Sequence, residues 1–244
     1  MLEKAYVRFR ENIPDNANTY AAAEGFAMQG IPVVPFYGFG DLNLDNMPDL
    51  GPQAIVCGNL GDVWDALRLM GRPLPPPLDY PEHLEWMLGR KVELTTLEAV
   101  RSGTRRCFLK PVKQKLFGGF VFDPMDPRSR LAVAVYPDET PCFVSDEVDF
   151  VSEYRCFFVR GAPVGVKHYR GDSFVALDKS VYNKAVKCCK GKGMPDAYCL
   201  DMGVTADGRT LLVEATEGFA VGSYGLNGLV YARFLEARWA QLTA

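Results

Sequence analysis

Nowhere in its 244 residues does the chain carry the uninterrupted apolar run of about 20 residues that a membrane span requires, and the opening MLEKAYVRFRENIPD lacks the apolar core of a signal peptide. A cytoplasmic protein with no membrane association is expected. Basic excess is also lacking: the formal net charge is −3, which argues against a partner held by its phosphate backbone and makes nucleic acid an unexpected ligand. CxxC spacing is absent too. The seven cysteines are an odd number scattered between Cys57 and Cys199, a pattern of buried reduced thiols and not of a disulfide framework or a zinc site. The adjacent Cys188 and Cys189 bridge poorly on geometric grounds. No internal repeat or low-complexity tract occurs. What remains is an ordinary globular composition, 48% hydrophobic and 23% charged, in a chain long enough to bury a core in one large domain or two small ones.

The order of elements comes from periodicity and breakers. A short strand at AYVRF, a helix over 18–30, a β-type run IPVVPFYGF, a buried strand at 54–58 and a helix over 62–70 make a small α/β unit. RPLPPPLDYP, with five prolines in ten residues, can continue neither ladder nor helix, so the expected border puts residues 1–78 in this unit and 79–244 in a larger domain. Past it, HLEWMLGR and TTLEAVRSG read as helical. Strands are expected at RCFLKP, GGFVFDP, LAVAVYP, PCFVSD, EYRCFFVRG with its hairpin mate APVGVKHYRGD, YCLDMGV and TLLVEA, and an amphipathic helix over the last 20 residues. The fold class is therefore α+β, mostly antiparallel strands with helices.

Two groups of residues carry chemistry. Lys110 emerges from an apolar strand next to Pro111 and is followed by KQKLFGG, whose Lys115 and glycines suit a phosphate. Taken alone, this motif fits an exposed edge lysine that blunts a sheet better than a phosphate contact. In YCLDMGVTADGRTLLVEATEG, the Asp-Gly turn pairs two strands antiparallel and brings Asp201 close to Glu214. Two carboxylates on one face suit a magnesium ion among phosphates; were Lys110 and Glu153 absent, they would read as solvent-facing strand residues. His168 fits a satisfied structural histidine as well as a phosphate contact, and His83 reads as a helix-start residue.

The ordered set FLKP at 108–111, VSDEVDFVSEYR at 144–155, LDMGV at 200–204 and LLVEAT at 211–216 resembles the ATP-grasp superfamily, and within it the small clade of stand-alone domains named for an arginine-to-lysine exchange. The resemblance covers about residues 80–244, and includes the 13-residue separation of Asp201 and Glu214 (214 − 201), the EYR around Arg155, the Val166–Asp172 hairpin strand and the closing GFAVGSYGL. It implies an ATP-grasp fold with the nucleotide between two subdomains, preceded by the α/β unit as a pre-grasp element. Lys110 then contacts the α and β phosphates, Asp146, Glu147 and Val148 form the hinge beside adenine, and Glu153 takes the ribose hydroxyls. Asp201 and Glu214 bind Mg²⁺. The basic run 183–193, with Lys184, resembles the mobile loop that covers phosphates.

Two positions depart from the superfamily pattern: Thr216 stands where an asparagine is expected, its hydroxyl still able to ligate the metal or hold a metal-bound water, and Cys199 where an arginine is often found. If the strand ends at Thr216, Glu217 turns inward from the loop and joins the metal set. The function implied is an ATP-dependent carboxylate–amine ligase, forming a carbon–nitrogen bond through an acyl phosphate from amino acid, peptide or other small carboxylate and amine substrates, with Lys110 and Arg155 as catalytic residues and ATP and Mg²⁺ as cofactors. A phosphotransferase on the same fold and a non-catalytic ATP-binding module are the alternatives.

Overall fold

The computed structural model describes residues 2–43 and 45–244. The chain opens with β1 (Lys4–Arg10), whose apolar middle is buried on both sides because it pairs parallel with β3 (Val33–Phe36) on one edge and β4 (Ala54–Cys57) on the other. The two-residue β2 (Ile13–Pro14) folds back on its end. Helix α1 (Ala17–Met28) connects β1 to β3, with Asn16 capping it through a reciprocal box with Thr19. Helix α2 (Leu60–Leu69) follows β4 and opens at a similar box between Asn59 and Asp62.

After the proline run, the backbone of Asp79 bridges to Ala215 near the end of the chain, and a 3₁₀ turn spans Glu82–Met87. A second sheet then forms in the order β5 (Val92–Thr96), β8 (Pro141–Ser145), β6 (Cys107–Pro111), β7 (Phe120–Phe122), all antiparallel. The period-2 alternation of CFLKP drives Cys107 and Leu109 into a core shared with α3 (Leu97–Ser102) and α4 (Pro127–Val133), which leaves Phe108 and Lys110 on the opposite face.

The third sheet runs β10 (Ala162–Gly171), β9 (Phe150–Val159), β11 (Ala197–Thr205), β12 (Thr210–Glu217), again antiparallel. Its outer face carries Cys156, Phe158, Leu200 and Met202 into a core with α5 (Lys179–Cys189) and the 3₁₀ turn. The C-terminal helix α6 (Gly228–Thr243) leaves this sheet and packs into the core of the first, where Phe234 and Trp239 join Phe26 and Val56. All seven cysteines are free thiols, six buried and Cys188 partly exposed.

Three expectations need correction. LAVAVYP is the end of α4 and a turn, not a strand: Asp126 caps the helix and Pro127 opens it, a start signal that outweighs the β-branched run. A strand, β5, precedes α3 where only helix was read. The basic run 183–193 begins inside α5, whose Ala185 and Cys189 are buried, so its first half is a packed helix and not a loop over the site.

Candidate functional site between the second and third sheets

The inner faces of the second and third sheets look at each other across a cleft that contains two adjoining cavities of about 510 and 430 Å³. Strand alternation selects what lines it. On β9, Glu153 and Arg155 point inward while Tyr154, Cys156 and Phe158 point away. Register then aligns Arg155, Asp201 and Glu214 in one row across β9, β11 and β12. From the facing sheet, Lys110 reaches Glu214 at 2.5 Å and also bonds Asp79. Lys110 and Glu214 are 104 residues apart in sequence.

Each acidic group in this row already has a cation. Arg155 is buried and grips both oxygens of Asp201, Nε to Oδ1 at 2.8 Å and Nη2 to Oδ2 at 2.6 Å. Such bidentate charge-assisted pairs are strong and directional. Burial lowers the tendency of Arg155 and Lys110 to hold a proton, but the facing carboxylates more than offset it, so both are held above their ordinary values. Burial pushes the Asp201 and Asp79 carboxyls up, against the pull of their cationic partners. Arg155 also lies under two stacked tyrosines, 5.0 Å from the Tyr224 ring and 5.9 Å from Tyr169.

Glu153 is buried and doubly bonded. A bulge in β10 places both Tyr169 and Arg170 opposite it, so the Tyr169 hydroxyl donates at 2.6 Å and Arg170 Nη1 at 2.7 Å. Burial raises the Tyr169 phenol, which keeps it a donor. Asp146, Glu147 and Val148 connect β8 to β9 along the wall of the larger cavity, with Asp146 paired to Arg105 and Glu147 to Arg106. Lys115, in left-handed backbone at φ 60°, is exposed and lines the smaller cavity.

Two expected site residues, His168 and Lys184, lie outside the cleft, and a third, Glu217, is engaged by another partner. His168 packs edge-on against Tyr154 at 5.2 Å, on the strand position paired with that outward-facing tyrosine, and does not line the cleft. Lys184 sits on α5 with its ammonium 3.7 Å over the Trp86 ring. Strand β12 does not end at Thr216; it runs through Glu217, whose buried carboxylate accepts from Arg238 Nε of α6 at 2.6 Å. Glu217 lines the smaller cavity, but its carboxylate is committed to holding the C-terminal helix.

Among the described residues, no three or more His, Cys, Asp or Glu side chains are grouped to hold a metal ion. Magnesium, however, is ordinarily held by one or two carboxylates together with substrate phosphates and water. Glu214, partly exposed and lining both cavities, fits that requirement; Asp201, with both oxygens on Arg155, does not while that pair is closed. Thr216 lines the smaller cavity, and its Oγ1 is buried with no hydrogen-bond partner.

Sequence reasoning missed Asp79, Tyr80, Arg90, Tyr169, Arg170 and Tyr224. Asp79 and Tyr80 lie in the proline run that reads only as a border, yet Asp79 holds Lys110 and Tyr80 places its ring 5.4 Å from the same ammonium. Arg90 ties the carbonyls of Leu212 and Val213 at the bulge of β12 and faces the cleft. The lysine beside an acidic residue in a tight Asp-Tyr-Pro turn is a signal visible only once the two segments are known to meet.

Two facing antiparallel sheets that hold a strand lysine against a paired carboxylate hairpin define an ATP-grasp fold. Residues 87–234 match the ATP-grasp domain family that is the second of the arginine-to-lysine clade, and the chain belongs to that family. Similar structures include D-cycloserine synthetase DcsG (13% identity over 96% of this chain and 99% of that one, TM-score 0.60). D-alanine–D-alanine ligase from Bacillus anthracis complexed with ATP gives 12% identity over 98% and 95%, TM-score 0.60. ATP-grasp ligase PsnB complexed with a minimal precursor gives 14% over 99% and 100%, TM-score 0.52. At these identities the likeness is one of fold. No curated protein is significantly similar in sequence. No helix among the described residues is long and apolar enough to cross a membrane.

Proposed function

We propose that the protein is an ATP-dependent carboxylate–amine ligase working through an acyl phosphate. The observation that carries this reading is the row Arg155, Asp201, Glu214 on one sheet, met by Lys110 from the facing sheet, two cations and two carboxylates lining a cleft wide enough for a nucleotide. Adenine fits between Phe108 and Val148, with the polar backbone of 146–148 at its edge, and Glu153 lies on the same wall for the ribose hydroxyls. Lys110 and Lys115 then meet the phosphates, and Arg155 faces the transferring γ-phosphoryl group or the carboxylate that attacks it. Bound Mg²⁺, with Glu214 as its ligand, supplies neutralisation of the triphosphate charge.

In this reaction a substrate carboxylate oxygen bonds the γ-phosphorus as the bond to the bridging oxygen breaks and ADP leaves. An amine nitrogen then bonds the acyl carbon, loses a proton and displaces inorganic phosphate. The protein contributes position and charge and no covalent nucleophile. Hydroxylamine traps the intermediate: ATP, magnesium, a panel of carboxylic acids and hydroxylamine should yield a hydroxamate with equal ADP and phosphate. AMP and pyrophosphate, or phosphate retained on a substrate hydroxyl, would overturn the ligase reading; the second outcome would establish a phosphotransferase. No ATP consumption with any acid would leave a nucleotide-binding module.

A further inference from the structure

A third cavity, of about 540 Å³, lies at the carboxyl end of β4 and opens into the phosphate side of the cleft. Its place follows from topology. The chain moves from β1 to β3 on one side and then to β4 on the other, so the crevice beyond the carboxyl ends of β1 and β4 is a switch point, the position where open parallel sheets bind ligands. The amino ends of α1 and α2 both border it, and α6 closes the far wall.

The lining is chemically one-sided. Among the described residues, no aspartate or glutamate contributes to it, and Lys115 is its one charged residue. Asp15, next in sequence to the lining residue Asn16, is absent from the wall and pairs with Arg8 and Arg10. Tyr231 and Trp239 present rings, because their polar tips are engaged: the Tyr231 hydroxyl donates to the Val221 carbonyl and Trp239 Nε1 to the Gly51 carbonyl. Two of the three lining asparagines, Asn16 and Asn18, are committed at their oxygens. Asn18 Oδ1 accepts from the backbone N–H and the hydroxyl of Ser223, and Asn16 Oδ1 from the backbone N–H groups of Asn18 and Thr19. A backbone N–H fixes which end of each amide is oxygen, so both Asn18 N–H donors remain for a ligand. Lys115, Tyr224 and the segment 219–222 line this cavity and the phosphate cavity alike, which puts the lysine at their junction.

Resting on the ligase reading above, we infer that this cavity seats the acyl substrate, a carboxylic acid with an uncharged, largely apolar body and no α-ammonium group. The body lies against Ile55, Leu235 and Trp239. The carboxylate sits at the junction, where Lys115 and the Asn18 amide receive it beside the phosphate cavity. An α-amino acid is disfavoured because its ammonium would be desolvated with no carboxylate to meet it. The incoming amine therefore enters by another route, and the cavity sets the acid's identity.

Gly61 provides a test. It lines the cavity, and a Cβ there meets no heavy atom within 4 Å, so long side chains enter at low steric cost. Calorimetry would use three probes of matched body: 4-phenylbutanoate, 2-amino-4-phenylbutanoate and 4-phenylbutylamine. The acid should bind wild-type protein at least tenfold more tightly than either aminated probe. Gly61→Glu should weaken acid binding tenfold or more, while Gly61→Gln, of the same size, stays within twofold; both should keep wild-type ATP affinity and melt no lower than wild type. Equal or tighter binding of an aminated probe, no binding of the acid, or equal losses in the two variants would overturn the inference. Failure to bind ATP while the acid still binds would instead overturn the ligase reading and, with it, the acyl role, leaving the cavity a carboxylic-acid site only.

Discussion

Lys110 illustrates how a residue's surroundings change what its loss does. As a strand-edge lysine it is expected to contribute little to packing, but its ammonium lies between Asp79 and Glu214 in a half-buried triad. Lys110→Ala therefore leaves two facing carboxylates without a cation. We expect it to abolish ATP binding and also to lower unfolding free energy by about 2 kcal/mol, less than for a fully buried pair because the triad keeps some solvent. Urea denaturation checks this, and unchanged stability would show that the triad matters only to the ligand. Thiols make a second case at this scale. Burial raises the thiols of Cys57, Cys107, Cys156, Cys189 and Cys199 and pushes Cys142 up to about 11, so near pH 8 they carry little thiolate. Ellman's reagent should thus titrate one thiol, Cys188, in native protein and all seven in denaturant. Rapid reaction of two or more would mean that a buried strand opens readily.

At the scale of elements, the contact between the first and last helices decides whether the chain closes. Gly25 of α1 faces Gly228 of α6 so closely that a Cβ on Gly25 would lie 1.9 Å from the Gly228 carbonyl oxygen. Alanine in a helix ordinarily gains about 1 kcal/mol over glycine. Here Gly25→Ala should instead destabilise by about 1 to 3 kcal/mol, because backbone must move to admit the methyl; a higher melting temperature for the variant would contradict that packing. The same helix is fixed at its other end by the buried pair of Arg238 and Glu217. Glu217→Ala should cost about 3 to 5 kcal/mol through the unpaired guanidinium while leaving ATP affinity of the folded fraction unchanged. A stable variant that loses only turnover would restore Glu217 to the site. Local signals identified most elements here. They failed at LAVAVYP, where a capped helix start overrode β propensity, and at the basic run of α5, where one buried face turned lysines into the exposed side of a helix.

For the whole molecule, a nucleotide that spans both sheets should stabilise their closure. MgATP at 100 times its dissociation constant should add about 2.7 kcal/mol to unfolding free energy, and dATP at equal concentration should add less if Glu153 receives a ribose hydroxyl. Thermal unfolding reports both, and identical shifts for ATP and dATP would place the sugar elsewhere. The sequence by itself determined most strands and helices, though not α4, β5 or α5, as well as the antiparallel hairpin that sets Asp201 beside Glu214, and the family, because alternation, turns and caps are local and an ordered motif set survives without coordinates. Only the tertiary structure decided the partners. Arg155 and Asp201 lie 46 residues apart, Lys110 and Asp79 31 apart, and Arg238 meets Glu217 only because α6 returns across the fold. Such pairs are set by strand register and by the packing of one layer on another, and a burial cost that forces each charge to find a counter-charge acts only after the layers have met.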